Sequence, residues 1–221
     1  MNELASRIEM VERRIGRACE AAGRAREDVL LLAVTKIFPA QAILDAHALG
    51  MREFGENYVQ EFETKRDAAA GLPGARFHLI GHLQSNKAAR AGELFDVIET
   101  VDSVKLARRL DGLGLTLEVY IEVKLSPEDS KHGASPDELP ALVESIRGMS
   151  NLKLRGLMTM PPWTEDAEQS RPYFRRLREL AAGNGLKGLS MGMSHDLEVA
   201  IEEGSTVVRV GTALFGPRRR P

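Results

Sequence analysis

Short apolar segments typical of buried strands alternate with helical segments along nearly the whole 221-residue chain. The strand-like segments are 29–34, 53–55, 77–80, 97–100, 117–123, 154–157, 189–190 and 206–210. This alternation predicts a parallel sheet, because each strand needs a helical crossover before the next can run in the same direction. Eight such units predict an α/β fold of the (β/α)8 TIM-type barrel class, with a doubly wound open sheet as the alternative.

The helical segments include one that has no strand before it. They are 2–22, 39–49, 58–70, 87–94, 103–110, 135–148, 166–182 and 194–203. No helix is expected after the last strand, and we expect the extra N-terminal helix to lie in that place beside the first strand. Ser135 and Ser194 are expected to cap the helices that begin with them, with Pro136 in the first helical position. No linker interrupts the pattern, so residues 1–221 are predicted to form a single domain with no second domain.

The composition bounds the class of protein. The 30 Lys+Arg and 32 Asp+Glu residues give a formal net charge of −2, which provides no global field to attract nucleic acid or an anionic membrane. No apolar run approaches the ~18 residues of a membrane span. Cys19 is the single cysteine, which excludes an internal disulfide and a Cys-rich zinc module. We therefore expect a cytoplasmic protein that binds neither nucleic acid nor a membrane. We also expect it to be a monomer.

A lysine follows the first strand directly. In a TIM-type barrel the carboxyl ends of the strands carry the site, and Lys36 stands at the end of a wholly apolar segment. An ammonium group in the barrel mouth is partly desolvated, which lowers its pKa and frees the amine to attack a carbonyl. The alternative is an ordinary surface lysine at a strand end.

Two further motifs follow the seventh and eighth strands, where such barrels often bind phosphate. Ser194 offers a hydroxyl beside the first amides of a helix. Gly211 allows close approach of the backbone to a ligand, and Thr212 adds a hydroxyl. Each motif alone is explained as a cap or a turn, but together they favour a phosphate group.

Arg209 lies within the last strand and shares a face with Val207 and Gly211 by the two-residue period. A buried guanidinium needs an acceptor, which is either a carboxylate such as Glu122 or a ligand beside the phosphate site. An amine, a phosphate cradle and an arginine directed at a heteroatom together suit pyridoxal 5′-phosphate. An arginine facing the pyridine nitrogen disfavours protonation of the ring, so the cofactor would be a weaker electron sink.

Six segments, taken in order, resemble the pyridoxal phosphate homeostasis protein family. They are AVTK at 33–36, FGENY at 54–58, HLIGHLQSNK at 78–87, GLM at 156–158, SMGMS at 190–194 and RVGTALFG at 209–216. The resemblance implies a fold like the N-terminal barrel of alanine racemase and a role in intracellular vitamin B6 balance, without an established reaction. It implies a Schiff base at Lys36, with Asn57, Met158 and Met193 around the cofactor. It also implies phosphate contacts from Ser194, Gly211 and Thr212, and Arg209 near the ring nitrogen.

The chain departs from the family pattern at two positions. Lys124 stands where members often have Asn, and His195 stands where they often have an acidic or small residue. Neither is one of the proposed cofactor contacts. Lys131, in the segment SKHG at 130–133, matches a family loop. It is interpreted either as a second amine near the mouth or as a solvated loop lysine.

Two other motifs are rejected as sites. The segment GNGLKG at 183–188 fits a dinucleotide-binding pattern, but it follows a helix and precedes a strand, which is the reverse of the required order. His78 and His82 are four residues apart in a strand and a loop, which does not place them on one face. No acidic third ligand is evident beside them, so no metal site is predicted.

Three functions remain open. The first is a non-catalytic carrier that binds pyridoxal phosphate, controls its free level and delivers it to apoenzymes that depend on it. The second is a racemase-like enzyme, which needs a second proton-transfer group that alanine racemase takes from a Tyr of another domain and the partner subunit. We expect that domain to be absent, and Tyr58, Tyr120 and Tyr173 offer no evident replacement. The third is an aldolase-type barrel in which Lys36 reacts with a sugar phosphate.

Overall fold

The structure is a computed structural model that describes residues 3–126 and 132–217. Eight parallel strands close into a barrel in the order in which they occur in the chain. The strands are β1 (Leu30–Val34), β2 (Glu53–Glu56), β3 (Arg76–Leu79), β4 (Val97–Val101), β5 (Leu117–Glu122), β6 (Leu152–Met158), β7 (Gly188–Met193) and β8 (Val207–Val210). The predicted (β/α)8 TIM-type barrel is confirmed, and the open sheet is excluded because β1 pairs with β8.

The helices lie outside the barrel, between consecutive strands. They are α1 (Glu3–Ala21), α2 (Ala40–Ala48), α3 (Val59–Ala69), α4 (Ala88–Leu94), α5 (Val104–Asp111), α6 (Leu139–Arg147), α7 (Arg171–Gly183), α8 (Leu197–Glu202) and α9 (Thr212–Phe215). The extra helix α1 packs against α8 and α9. No helix among the described residues is long and apolar enough to cross a membrane.

Two predicted helix starts are wrong, both at a serine. The Ser135 hydroxyl donates to the Glu138 carboxylate at 2.7 Å and accepts from the Glu138 N–H at 3.3 Å. This exchange, which often opens a helix, closes a separate turn here, and α6 begins only at Leu139. Ser194 likewise lies in a turn, and α8 begins after Asp196, whose carboxylate accepts from the Met193 N–H at 2.7 Å.

The expectation that no helix follows the last strand is also wrong. The single helical turn α9 follows β8 directly, with Gly211 as its N-cap residue. Four residues are too few to show a helical period in the sequence, which is why the pattern gave no signal. Lys131 lies outside the described residues.

The core has two layers. Most buried apolar side chains pack between the helices and the outer face of the strands. A smaller apolar cluster fills the barrel interior with Leu32, Val34, Ile80, Val97, Tyr120, Met158 and Val207. In β8, Val207 belongs to the interior cluster, whereas Val208 and Val210 belong to the outer layer. This alternation places Arg209 on the interior side, as the two-residue period predicts.

Candidate functional site

A cavity of about 250 Å³ opens at the carboxyl ends of the strands. Seven of the eight predicted site residues line it, namely Lys36, Asn57, Met193, Ser194, Arg209, Gly211 and Thr212. They come from the ends of β1, β2, β7 and β8. The register of β1 on β8, with Ala33 opposite Val210, is what brings Lys36 beside Gly211. The sequence pattern therefore identifies residues that the barrel brings together.

Met158 is the predicted residue that does not line this cavity. Its side chain is fully buried in the interior cluster. That cluster also contains Val34 and Ile80, which do line the cavity. Met158 thus lies in the apolar layer beneath the cavity floor.

Lys36 is held over the cavity by its neighbours. Its ammonium group donates to the Asn57 side-chain oxygen at 3.2 Å. The next residue, Ile37, has a φ of 63°, a left-handed conformation that strains a β-branched residue. The Ile37 N–H donates to the Glu61 carboxylate. Such strain persists only where surrounding contacts impose it, and here it bends the chain directly after the lysine.

A buried ion cluster fixes the end of β1 beneath that bend. The Lys65 ammonium donates to the Thr35 carbonyl at 3.0 Å, to Glu56 at 2.9 Å and to Glu61 at 2.6 Å. Glu56 also accepts from the Thr35 hydroxyl at 2.8 Å. Lys65 and Glu56 are both almost fully buried. The cluster therefore ties α3 to the backbone that presents Lys36.

Asn57 owes its position to a glycine. A Cβ on Gly81 would lie 2.1 Å from the Asn57 carbonyl oxygen, so the loop after β3 can reach the loop after β2 only without a side chain there. This contact holds the Asn57 backbone in place while its amide reaches Lys36.

The opposite end of the cavity joins the loops after β7 and β8. The Ser194 hydroxyl oxygen accepts from the Ala213 N–H at 3.3 Å. Gly211 and Thr212 begin α9 beside it. Hydroxyl groups and backbone N–H groups thus converge there, which is the donor set that binds phosphate. The residues present fit a phosphate at one end of the cavity and an aldehyde at Lys36.

The extra helix α1 supports this end of the cavity. The Arg14 guanidinium donates to both oxygens of Glu198, at 2.6 and 2.8 Å. It also donates to the Ser194 carbonyl at 3.0 Å. Arg14 therefore connects α1 to the loop that carries the Ser194 hydroxyl.

Arg209 forms part of the cavity floor and is only 3% exposed. It donates to the Ser190 hydroxyl at 2.7 Å and to the Thr159 carbonyl at 2.9 Å. Both of these acceptors are neutral, and Glu122, one of the two alternative acceptors considered from the sequence, interacts with the guanidinium through its charge. Burial lowers the pKa of Arg209, while the charges of Glu99, Asp196 and Glu122 oppose that effect.

Five residues that line the 250 Å³ cavity were not among the predicted site residues. They are Val34, Ile80, Met160, Trp163 and His195. Trp163 is 74% exposed, and its ring lies 6.3 Å from that of His195. A signal was present for Trp163, because it is the single tryptophan and follows the sixth strand.

A second cavity, of about 550 Å³, adjoins the first and shares Asn57, Ile80, Met160, Trp163 and Met193 with it. Its far wall carries His82 and His132, whose rings stack at 3.6 Å, together with Lys124. A cavity of about 560 Å³ at the opposite end of the barrel contains none of the predicted residues.

His78 and His82 point to different places. His78 lies inside the barrel between two carboxylates, Glu53 at 2.8 Å and Glu99 at 2.6 Å, which the sequence did not reveal. His82 lies at the mouth, with Asp102 at 3.5 Å. Within residues 3–126 and 132–217, no group of three or more His, Cys, Asp or Glu side chains is arranged to hold a metal ion.

Comparisons with known proteins show the family to which the chain belongs. A family model described as alanine racemase, N-terminal domain, matches residues 12–219. The pyridoxal phosphate homeostasis protein of Pseudomonas aeruginosa is 48% identical over 224 residues, which cover 99% of this chain and 97% of the relative. The chain belongs to the pyridoxal phosphate homeostasis protein family.

Another member of the pyridoxal phosphate homeostasis protein family, from Aquifex aeolicus, is 42% identical over 96% of this chain and 97% of the relative. A solved structure of PipY from Synechococcus elongatus, with PLP bound, has a TM-score of 0.84 and 38% identity, covering 97% of this chain and 100% of that one. An alanine racemase from Clostridium difficile, 13% identical with a TM-score of 0.67, covers 95% of this chain and 57% of that one. That likeness shows a shared barrel fold.

Proposed function

We propose that this chain binds pyridoxal 5′-phosphate as a Schiff base on Lys36 and acts in vitamin B6 homeostasis as a carrier rather than a catalyst. One observation carries the proposal: an amine, a set of phosphate donors and a buried arginine line the same 250 Å³ cavity. That combination matches the three chemically distinct parts of the cofactor, its aldehyde, its phosphate and its ring nitrogen. The PLP-bound relative PipY supports it.

Each residue has a role in this proposal. Lys36 supplies the amine, and Asn57 orients it through the 3.2 Å hydrogen bond. Ser194, Gly211 and Thr212 hold the phosphate, and Met193 packs beside the ring. Arg209 faces the ring nitrogen, where a fixed positive charge disfavours ring protonation and so weakens the cofactor as an electron sink. Met158 acts indirectly, by packing beneath the cavity floor.

The carrier function follows from the chemistry of the linkage. A Schiff base protects the reactive aldehyde and is exchangeable, so the cofactor can pass to an apoenzyme that depends on it. The Trp163 side of the cavity is exposed, which suits exchange with the surroundings. In the same proposal the chain acts as a monomer in the cytoplasm.

Absorption spectroscopy of the purified protein tests the linkage. Added pyridoxal phosphate should give the visible absorption band of a lysine Schiff base, and Lys36→Ala should abolish it. Lys105→Ala is the matched control, because Lys105 is an exposed lysine on the outer helix α5. A wild-type protein that gives no band, or a Lys36→Ala variant that keeps it unchanged, would refute the proposal.

The adjoining cavity favours one second candidate function, a racemase-like reaction on amino acids. His82 and His132 lie in its wall and can transfer protons. Incubation of the loaded protein with L-alanine in deuterated water distinguishes the two functions. If L-alanine keeps its α-proton during prolonged incubation, the carrier function is supported. Rapid exchange of that proton for deuterium, accompanied by racemisation, supports the racemase-like function.

A further inference from the structure

Five polar side chains form a continuous line of contacts inside the barrel. His78 contacts Glu53 at 2.8 Å through Nε2 and Glu99 at 2.6 Å through Nδ1. The Ser190 hydroxyl donates to the other Glu99 oxygen at 2.5 Å, and it accepts from Arg209 at 2.7 Å. The line runs through β2, β3, β4, β7 and β8 and ends at the floor of the cofactor cavity.

The charges along this line alternate in sign. Burial opposes a charge on His78, but the hydrogen bonds and charges of Glu53 and Glu99 outweigh it and raise the pKa of His78 to about 9. Burial likewise opposes the charge of Glu99, and the contacts with His78, Arg209 and Ser190 lower its pKa nonetheless. At neutral pH, Glu99 is therefore an anion held between His78 and the Ser190–Arg209 pair.

Folding alone does not explain this line. Replacing a buried ion pair by well-packed apolar residues of similar volume is often neutral or stabilising, so an intact pair is weak evidence for a purely structural role. The same interior already contains an apolar cluster that includes Leu32, Val34 and Val207. Of the five side chains in the line, Arg209 is the one that lines the 250 Å³ cavity. We therefore infer that the line has its functional effect at Arg209.

We propose that Glu99 is a positioning residue that acts through the Ser190 hydroxyl to fix the Arg209 guanidinium against the cofactor cavity. This inference rests on the proposed function for the role of Arg209 toward the ring. The Ser190 hydroxyl and the Thr159 carbonyl engage Nη1 and Nη2 separately, which fixes the plane of the guanidinium. Two of its five N–H groups are used in this way, and others can be directed at a ligand.

Nitrogen NMR of the ligand-free protein tests the positioning directly. In the wild type, the Arg209 side-chain N–H groups should give resolved, exchange-protected signals, because two acceptors restrain the guanidinium. Ser190→Ala should broaden or merge them. Ser205→Ala is the matched control, since Ser205 is a fully buried serine that donates to the Met191 carbonyl at 2.7 Å.

The loaded protein gives a second readout. Ser190→Ala and Glu99→Gln should each shift the absorption band and weaken pyridoxal phosphate binding by roughly tenfold, the effect of losing one charge-assisted hydrogen bond. In an Arg209→Gln background, Ser190→Ala should cause no further spectral change, because the serine acts only through the arginine. Ser190→Ala keeps the test decisive if Glu99→Gln does not fold.

Three results would overturn the positioning role. The first is unchanged Arg209 signals in the ligand-free Ser190→Ala protein. The second is a spectral change in Ser190→Ala that Ser205→Ala reproduces. The third is a Ser190→Ala spectral change that persists fully in the Arg209→Gln background. A wild-type protein that binds no cofactor would instead refute the proposed function, and the ligand-free NMR comparison would still decide the positioning.

Discussion

At the level of single residues, the site depends on the local backbone conformation and the hydrogen bonds around Lys36 and Arg209. Lys36 is followed by a left-handed Ile37 and oriented by Asn57. Residue type and position relative to the strands predicted Lys36 and Arg209 in the cavity wall, whereas Asn57 came from the family resemblance. The contacts of Arg209 could not be predicted, because they depend on the register of β8 on β7, which shifts between Ser190 and Met193.

Ser194→Ala should weaken pyridoxal phosphate binding by roughly tenfold, since a hydrogen bond to a charged group contributes about 1.5 kcal/mol or more. Quenching of Trp163, the single tryptophan, measures the affinity. Ser103→Ala is the control, because its hydroxyl caps α5 by accepting from the Leu106 N–H, which affects stability alone. Equal affinities for wild type and Ser194→Ala would remove Ser194 from the phosphate site.

At the scale of elements, periodicity predicted the eight strands and most helices, because buried parallel strands and amphipathic helices leave distinct patterns. The prediction failed where a polar residue fits both a helix start and a separate turn. Ser135 and Ser194 carry helix-capping chemistry but belong to turns, and α9 is too short to be periodic. The extra helix α1 was predicted as an element, but its contact with the Ser194 loop was not.

Arg14→Ala should weaken cofactor binding by roughly fivefold, about 1 kcal/mol, because it releases the Ser194 carbonyl and Glu198 from α1. Arg13→Ala is the matched control on the same helix, since Arg13 is exposed and pairs with the exposed Glu9 at 3.1 Å. The affinity of both variants is measured by titration with pyridoxal phosphate. An Arg14→Ala protein that binds as tightly as Arg13→Ala would show that α1 does not support the site.

At the scale of the whole molecule, barrel closure joins residues far apart in sequence. Pairing of β1 with β8 brings Lys36 to Gly211 and Thr212, and the interior line of polar residues connects β2 to β8. Strand-end positions and the family resemblance together predicted which residues line the cavity, but their mutual distances depend on the closed sheet.

The interior line predicts a pH dependence of stability. The pKa of His78 is raised from 6.5 to about 9 by Glu53 and Glu99. The protonated form is therefore favoured in the folded state. Its contribution to the free energy of unfolding is present in full below about pH 6.5 and is lost as the pH rises through about 9. The shift corresponds to roughly 3 kcal/mol.

Urea unfolding of wild type and His78→Gln at about pH 6 and about pH 10 measures this contribution. The difference in free energy of unfolding between the two proteins should be larger at the lower pH. A His78→Gln difference that is equal at both pH values, or larger at the higher one, would contradict the charged state assigned to His78.

Reduction of the pyridoxal phosphate-loaded protein with borohydride, followed by peptide mapping by mass spectrometry, identifies directly the lysine that forms the Schiff base. Reduction converts a Schiff base into a stable secondary amine and so marks the lysine that carried it. We expect a phosphopyridoxyl group on the peptide that contains Lys36, and its loss from that peptide in Lys36→Ala. A wild-type label found only on other lysines, or no label at all, would refute a Schiff base at Lys36.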